Sequence, residues 1–410
     1  MKILFLSHYY APEGNAPATR AYENCSRWAA AGHEVTVITC APNVPTGIVY
    51  PGYSNRLSQT ELIDGVRVIR VWTWLAANKG SLRRIANYLS FMVSATIRAC
   101  FVRAPDLVLA TSPQFFNGWA GVFASRLRRR PFVLEIRDIW PESITAVGAM
   151  KEGMAVRALG HLERWSYQAA DHIVTVGNGY RHKLEERGVP PDKIAVIPNG
   201  ANLDRFQPGP RDPEIIRRYG LEGKFVVAYV GTIGMACGLR SVLQAADQLK
   251  KEGNENVVFL LAGDGAQREA LEDEAFERAL YDTVRFTGRV DKSEIPALLA
   301  SMDVALVHLS KKKLFETVLP SKIFEAFAAG KPILVAVPGA ATELVLEAGG
   351  GVAVEPENPA ALLTSIESLR RDPERCQRLG MNGHRYVEKH YDRDDLASRY
   401  LRLLEEMPHR

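Results

Sequence analysis

The 410-residue chain is poor in the features that mark several protein classes. It has five cysteines, Cys25, Cys40, Cys100, Cys237 and Cys376, odd in number and without C-x-x-C spacing. That argues against a disulfide framework and a structural zinc site and fits a reducing compartment. No run approaches the ~18–20 uninterrupted apolar residues of a membrane-spanning helix. The apolar start MKILFLSH is short and is followed by Tyr9-Tyr-Ala-Pro12 instead of a small-residue cleavage site, so it reads as a first buried strand and not as a leader. The net charge of +4 is too small to imply nucleic acid, and no internal repeat or low-complexity tract is visible. With 47% hydrophobic and 24% charged residues, disorder is excluded and two domains of ordinary size are affordable.

Short Val/Ile/Leu-rich runs alternate with helical patterns, the signature of βαβ units around parallel sheets. The first series of expected strands is 2–6, 35–39, 66–71, 107–110, 132–136, 172–176 and 194–197. Residues 199–210 are rich in turn formers, and a second series follows at 225–230, 257–262, 284–287, 304–307, 333–337 and 351–354. The expected architecture is α/β with two Rossmann-like doubly wound domains, 1–200 and 201–390, and a tail helix within 391–410, which in proteins of this kind packs back on the first. Such sheets bind ligands at the carboxyl ends of their strands, which predicts a site in a cleft between the domains.

The segment FETVLPSKIFEAFAAGKPILVAV at 315–337 joins a loop, a short helix and a buried strand. Pro320 and Ser321 precede the helix, Ser321 is read as its cap, and free N–H groups at its start would meet phosphate oxygens. Lys322 adds a positive charge there, and Glu325, one turn on, suits a ribose diol. An ordinary helix–strand joint would look the same. Gly14 after the first strand, and Gly231 with Thr232 after strand 225–230, bring backbone within reach of a phosphate or make tight turns. A dinucleotide oxidoreductase would need G-x-G-x-x-G and an acidic residue about 20 positions later, and neither loop supplies it.

Glu13, Asp138 and Glu142 all follow expected strands, where catalytic groups collect, and a carboxylate there can draw a proton from an acceptor hydroxyl. Asp138 and Glu142 would equally serve as helix caps. His8 and His308 stand at strand ends, where hydrogen-bonded histidines are common. Asp392-x-Asp394 is read as a cap of the tail helix, and nothing forms a hard-metal site. Residues 82–102 combine a long apolar face with flanking arginines, preceded by Trp72 and Trp74. That is the pattern of a helix lying in a bilayer interface or of one packed against the sheet, and the arginines at 126 and 128–130 favour an anionic membrane surface.

YAPEG at 10–14, RDIWPES at 137–143, Gly263-Asp-Gly265, Gly288-Arg-Val290, Asp303-Val-Ala-Leu306 and TVLPSK at 317–322 together resemble the retaining GT-B glycosyltransferases of sequence family four. Within that family the likeness is to the bacterial O-antigen and capsular polysaccharide subgroup typified by fucosamine transferases. The resemblance implies a GT-B fold and a nucleotide-sugar donor held in the second domain. Gly263, Asp264, Gly265, Arg289 and Val290 would lie along the base, and Lys322 would meet the diphosphate. It implies front-face attack in which the leaving phosphate helps take the acceptor proton.

The usual arginine and lysine of the strand-end loop are here Thr232 and Cys237, and the first of two usual glutamates is Thr317. Lys322 is the natural replacement cation. The expected activity is transfer of a sugar from a UDP-sugar co-substrate to an undecaprenyl-diphosphate-linked saccharide, with no further cofactor. The expected location is cytoplasmic, peripheral on the inner membrane. A nucleotide-sugar epimerase, or a non-catalytic nucleotide-sugar-binding protein of the same fold, are the alternatives.

Overall fold

In the computed structural model, which describes residues 1–44, 46–76, 81–139 and 153–407, the chain divides into Met1–Pro198 with Asp394–Arg410, and Asn199–Arg393. The first unit runs β1 (Lys2–Leu6), α1 (Ala16–Ala30), β2 (Glu34–Cys40), β3 (Ser58–Ile63), β4 (Val66–Val71), α2 (Ser81–Cys100), β5 (Leu107–Thr111), α3 (Phe115–Arg128), β6 (Phe132–Ile136), α4 (Met154–Ala169), β7 (His172–Thr175), α5 (Asn178–Glu186) and β8 (Ile194–Val196). Its sheet has the order β3-β4-β2-β1-β5-β6-β7-β8.

Every pairing is parallel except β3 with β4. That edge strand is absent from the sequence reading because only one of its sides is paired and its residues alternate between exposed and half-buried. It lacks the continuous apolar run that marks strands covered on both faces. Alternate side chains feed two cores: Leu4, Leu6, Ile38, Phe91 and Leu134 on one face, Ile3, Phe5, Trp28, Val37 and Leu107 on the other.

The second unit runs α6 (Pro213–Tyr219), β9 (Phe225–Val230), α7 (Arg240–Lys251), β10 (Val257–Ala262), α8 (Arg268–Glu277), β11 (Val284–Gly288), α9 (Ile295–Ser301), β12 (Val304–His308), α10 (Lys322–Ala328), β13 (Ile333–Ala336), α11 (Ala340–Glu347), β14 (Gly351–Ala353), α12 (Pro359–Arg371) and α13 (Pro373–His390). Its sheet, β11-β10-β9-β12-β13-β14, is parallel throughout.

The last helix, α14 (Arg393–Glu405), lies in the first unit: Leu396, Tyr400 and Leu404 join the core around Trp28. The Trp28 indole donates to the Ala397 carbonyl at 3.0 Å and meets the Tyr400 ring edge-on at 5.2 Å. Asp394 pairs with Arg27. Among the parallel strands of each sheet the order reverses once, between β1 and β5 and between β9 and β12. At such a reversal, doubly wound sheets take their ligands at the carboxyl ends of the two strands.

Candidate functional site

In the second unit the two glycine loops form one structure. Gly231 N–H donates to the Ala262 carbonyl at 2.8 Å and Ile233 N–H to Asp264 at 3.0 Å, so the loops continue the β9–β10 pairing beyond the sheet. A Cβ on Gly263 would stand 1.9 Å from the Gly231 carbonyl oxygen, and one on Gly265 would stand 2.4 Å from that of Ile233. These glycines are therefore fixed by backbone approach. The Asp264 carboxylate is spent within the loop, accepting from Gly265 N–H at 2.8 Å and Arg268 Nε at 3.0 Å. Beyond β11, Arg289 is exposed and Val290 packs against the core.

Lys322 reaches this loop. Its Nζ lies 3.4 Å from the centroid of the Tyr229 ring, and a Cβ on Gly231 would come within 3.0 Å of it. Among the described residues no hydrogen-bond acceptor serves this ammonium. Burial pushes its pKa down to about 8, against smaller opposing effects of Cys237 and Glu325. The Tyr229 hydroxyl donates to the Thr232 carbonyl at 2.7 Å and touches the Cys237 sulfur at 3.0 Å. Thr232 and Cys237 thus anchor the aromatic floor beneath the Lys322 ammonium. Tyr229 was not singled out in the sequence, where it is one letter in the apolar strand FVVAYV.

Helix α10 starts differently from the sequence reading. Ser321 itself has helical backbone angles, φ −57° and ψ −26°, and its side chain caps nothing. A capping side chain needs an extended backbone to reach back over the first turn. The first turn is closed instead by main chain: Ile323 N–H donates to the Pro320 carbonyl at 3.1 Å, and Phe324 N–H to that of Ser321 at 3.1 Å. These groups are not free for phosphate, which leaves the Lys322 charge as the main attraction. Glu325 is half-buried on the same turn and shares a small cavity with Lys322, Val230, Met302 and Val307.

His308 is structural. Its Nδ1–H donates to the Cys237 carbonyl at 2.8 Å, while Nε2 accepts from Glu357 N–H at 3.2 Å and contacts Ser241 Oγ at 3.1 Å. A carbonyl only accepts and an amide N–H only donates, so the neutral tautomer is set. Burial lowers its pKa further. Lys311 is paired with Glu355 at 2.8 Å.

In the first unit the carboxyl ends of β1, β5 and β6 hold a buried polar cluster that sequence reasoning missed. Arg20 of α1 donates through Nε to Glu135 at 2.8 Å and through its two Nη atoms to the carbonyls of Pro198 and Ile197, each at 2.8 Å. Thr111 Oγ1 donates to the other Glu135 oxygen at 2.6 Å. Burial raises the Glu135 pKa, but the charges of Arg20 and Arg137 and these hydrogen bonds more than offset it, leaving the group below its ordinary value. The signal in the sequence was a glutamate inside the apolar strand FVLEI.

Asp138 follows directly. Its N–H and that of Arg137 point at Ser112 Oγ, at 3.4 and 2.7 Å. Burial raises its carboxyl to about 6 against the opposing charge of Arg137. It faces a small cavity with Ser112, Phe115, Ser166 and Tyr167.

Glu13 is buried, and its Oε1 accepts the N–H groups of Asn43 at 2.8 Å and Val44 at 3.2 Å. It clamps the loop after β2 to the loop after β1, and burial raises its pKa. Gly14 is exposed beside Asn15, whose side chain caps α1 by accepting from Ala18 N–H at 2.9 Å. His8 is buried among the rings of Tyr9, Tyr88 and Phe91, and burial holds its pKa near 3. Arg84, expected at a membrane surface, turns inward: its guanidinium donates to Tyr88 Oη at 3.0 Å, and its Nε is buried. Glu142 lies outside the described residues.

A model of glycosyl transferases group 1 matches residues 212–386, and a glycosyl transferase 4-like domain matches residues 15–200. The chain is 28% identical over 414 residues to the putative colanic acid biosynthesis glycosyl transferase WcaI of Escherichia coli, covering 98% of this chain and 99% of that one. It is 31% identical over 296 residues to the probable glycosyltransferase WbjE of Pseudomonas aeruginosa, covering 70% and 71%. Among solved structures, sucrose-phosphate synthase from Thermosynechococcus elongatus superposes with a TM-score of 0.80 at 20% identity over 98% of both chains. Anabaena HepE in complex with UDP superposes at 0.70 with 18% identity, over 99% and 100%. These structural likenesses carry the two-domain GT-B fold.

Proposed function

The chain belongs to the glycosyl transferases group 1 family, whose relatives include bacterial polysaccharide enzymes, and from that membership we propose that it transfers a sugar from a UDP-sugar, with retention of anomeric configuration, to a lipid-linked saccharide. The observation that carries this reading is Lys322: a desolvated ammonium on the Tyr229 face, with no hydrogen-bond acceptor among the described residues, at the carboxyl end of β9. A half-buried cation that forms no ion pair among the described residues favours an arriving anion, and a nucleoside diphosphate is the anion a glycosyltransferase must both hold and release. Glu325, one turn along α10, is the proposed partner of the ribose. That HepE was solved with UDP agrees with the choice of nucleotide.

In this mechanism the bond from the sugar C1 to the β-phosphate oxygen breaks, the acceptor oxygen bonds to C1, and UDP leaves with the electron pair. Lys322 neutralises charge growing on the leaving phosphate. The acceptor proton passes to that phosphate or to Asp138, whose raised affinity near pH 6 suits a base at neutral pH. The proposed acceptor is carried on undecaprenyl diphosphate, which places the enzyme peripherally on the cytoplasmic membrane face. Among the described residues no helix is long and apolar enough to cross a membrane.

Incubation with a panel of UDP-sugars tests the reading. Slow UDP release, accelerated by a lipid-linked acceptor extract, supports a transferase. Interconversion of the sugars would indicate an epimerase, and binding without turnover a non-catalytic protein.

A further inference from the structure

On the first unit, Leu89, Val93, Ile97 and Phe101 recur every fourth residue along and just beyond α2 and are 38–76% exposed. On the adjoining α3, Phe123 and Leu127 stand one turn apart at 42% and 64%. A single exposed leucine needs no explanation, but six large apolar side chains on two neighbouring helices form a patch. The stretch of sequence that carries it is strongly biased to one sign of charge. Residues 72–134 contain nine lysines and arginines and one acidic residue, Asp106.

The basic groups gather at one end of the patch. Arg128 ties the two helix ends together, donating to the carbonyls of Cys100 and Val102, each at 2.9 Å. Beyond it opens a cavity of about 1080 Å³ faced by Arg126, Arg129, Arg130 and Lys193 against Asp171 and Asp192.

We infer that the α2/α3 face is a docking surface for a bilayer containing anionic phospholipid. The apolar stripe lies at the acyl boundary, and the basic cavity at its end faces phosphodiester headgroups. A second copy of the chain fits less well, because a two-fold contact through this patch would bring Arg98, Arg103 and Arg126 of both copies together. The surface rests on the proposed lipid-linked acceptor for its purpose, since it would deliver the enzyme to that substrate. Its chemistry stands independently.

The test is co-sedimentation of the full chain with vesicles of phosphatidylcholine alone or with phosphatidylglycerol, at 50 mM and 500 mM NaCl, beside measurements of oligomeric state and UDP-sugar hydrolysis. Binding is expected to need phosphatidylglycerol and to weaken with salt. Arg126→Ser with Arg129→Ser is expected to lower partitioning about fivefold per charge. The variant Val93→Ser/Ile97→Ser/Phe101→Ser/Leu127→Ser, at four exposed positions, is expected to lose at least tenfold while its circular dichroism and UDP-sugar hydrolysis stay unchanged.

No vesicle binding at low salt, equal binding to neutral vesicles, or a solution dimer abolished by the serine variant would overturn the inference. Vesicle binding without donor turnover would support the surface and refute the donor reading. Donor turnover without vesicle binding would overturn the surface alone.

Discussion

Removing the Lys322 ammonium, by Lys322→Ala, is expected to weaken UDP binding by roughly tenfold to 150-fold, the worth of one charge-assisted contact of about 1.5–3 kcal/mol. The structure supplies a second and sharper signature. Burial on Tyr229 holds the amine at about 8 in place of 10.5. Keeping it charged there therefore costs on the order of 3 kcal/mol relative to water. An arriving diphosphate stabilises the charged form and raises that pKa, so UDP binding and protonation favour each other.

The sign follows. Below pH 8 the cation is present and affinity is flat; above it, binding must first recover a proton, and affinity falls tenfold per pH unit until the pKa of the complex is reached. Calorimetric titration of UDP from pH 6.5 to 10, in buffers of different ionisation enthalpy, measures both affinity and proton uptake. About half a proton is expected at pH 8 in the parent chain and none from this site in Lys322→Ala. A parent affinity flat across pH 7–10, or an unchanged dissociation constant in the variant, would refute the assignment.

Asp138→Asn is expected to lower turnover by about a hundred- to ten-thousand-fold with donor affinity kept, and to remove an acid limb near pH 6, below which the parent kcat/KM falls as the base is protonated. Glu13→Gln, which keeps an acceptor for Asn43 and Val44, is expected to retain the parent melting temperature while turnover falls; full activity would leave Glu13 a loop clamp only. Glu135→Ala strands the buried Arg20 guanidinium and is expected to cost about 3–5 kcal/mol in urea denaturation, whereas a loss under 1 kcal/mol would show that the cluster is solvated. Tyr229→Leu is expected to raise the dissociation constant for UDP several-fold and Tyr229→Phe hardly at all, because the ring face and not the hydroxyl meets the ammonium.

Where a strand is buried on both faces, composition alone locates it. FVVAYV and VVFLLA were legible to the residue, since parallel strands between helices must be apolar throughout. The edge strand SQTELI was not, because a strand paired on one side carries no continuous apolar run. The start of α10 was misread for a related reason. Ser before a helical pattern is the usual sign of a cap, but that rule assumes an extended residue, and here the turn from Pro320 already supplies carbonyls to the first N–H groups.

The candidate site was legible where a residue is chemically odd for its element and illegible where its role is made by a distant neighbour. Lys322 stood out as a charge at a helix start. Its partner Tyr229 lies 93 positions earlier in an ordinary-looking strand, and only the fold brings the two together. The same holds for Arg20 and Glu135, whose pairing spans 115 residues.

The contacts of Thr232 and Cys237 give these two uncharged positions a physical role. At the strand-end loop the Tyr229 hydroxyl is bonded to both Thr232 and Cys237. The ring so fixed presents its face to a cation arriving from α10. One ammonium on an aromatic floor thus stands beside the strand-end loop. Restoring an arginine at position 232 without removing Lys322 would crowd like charges against the same ring.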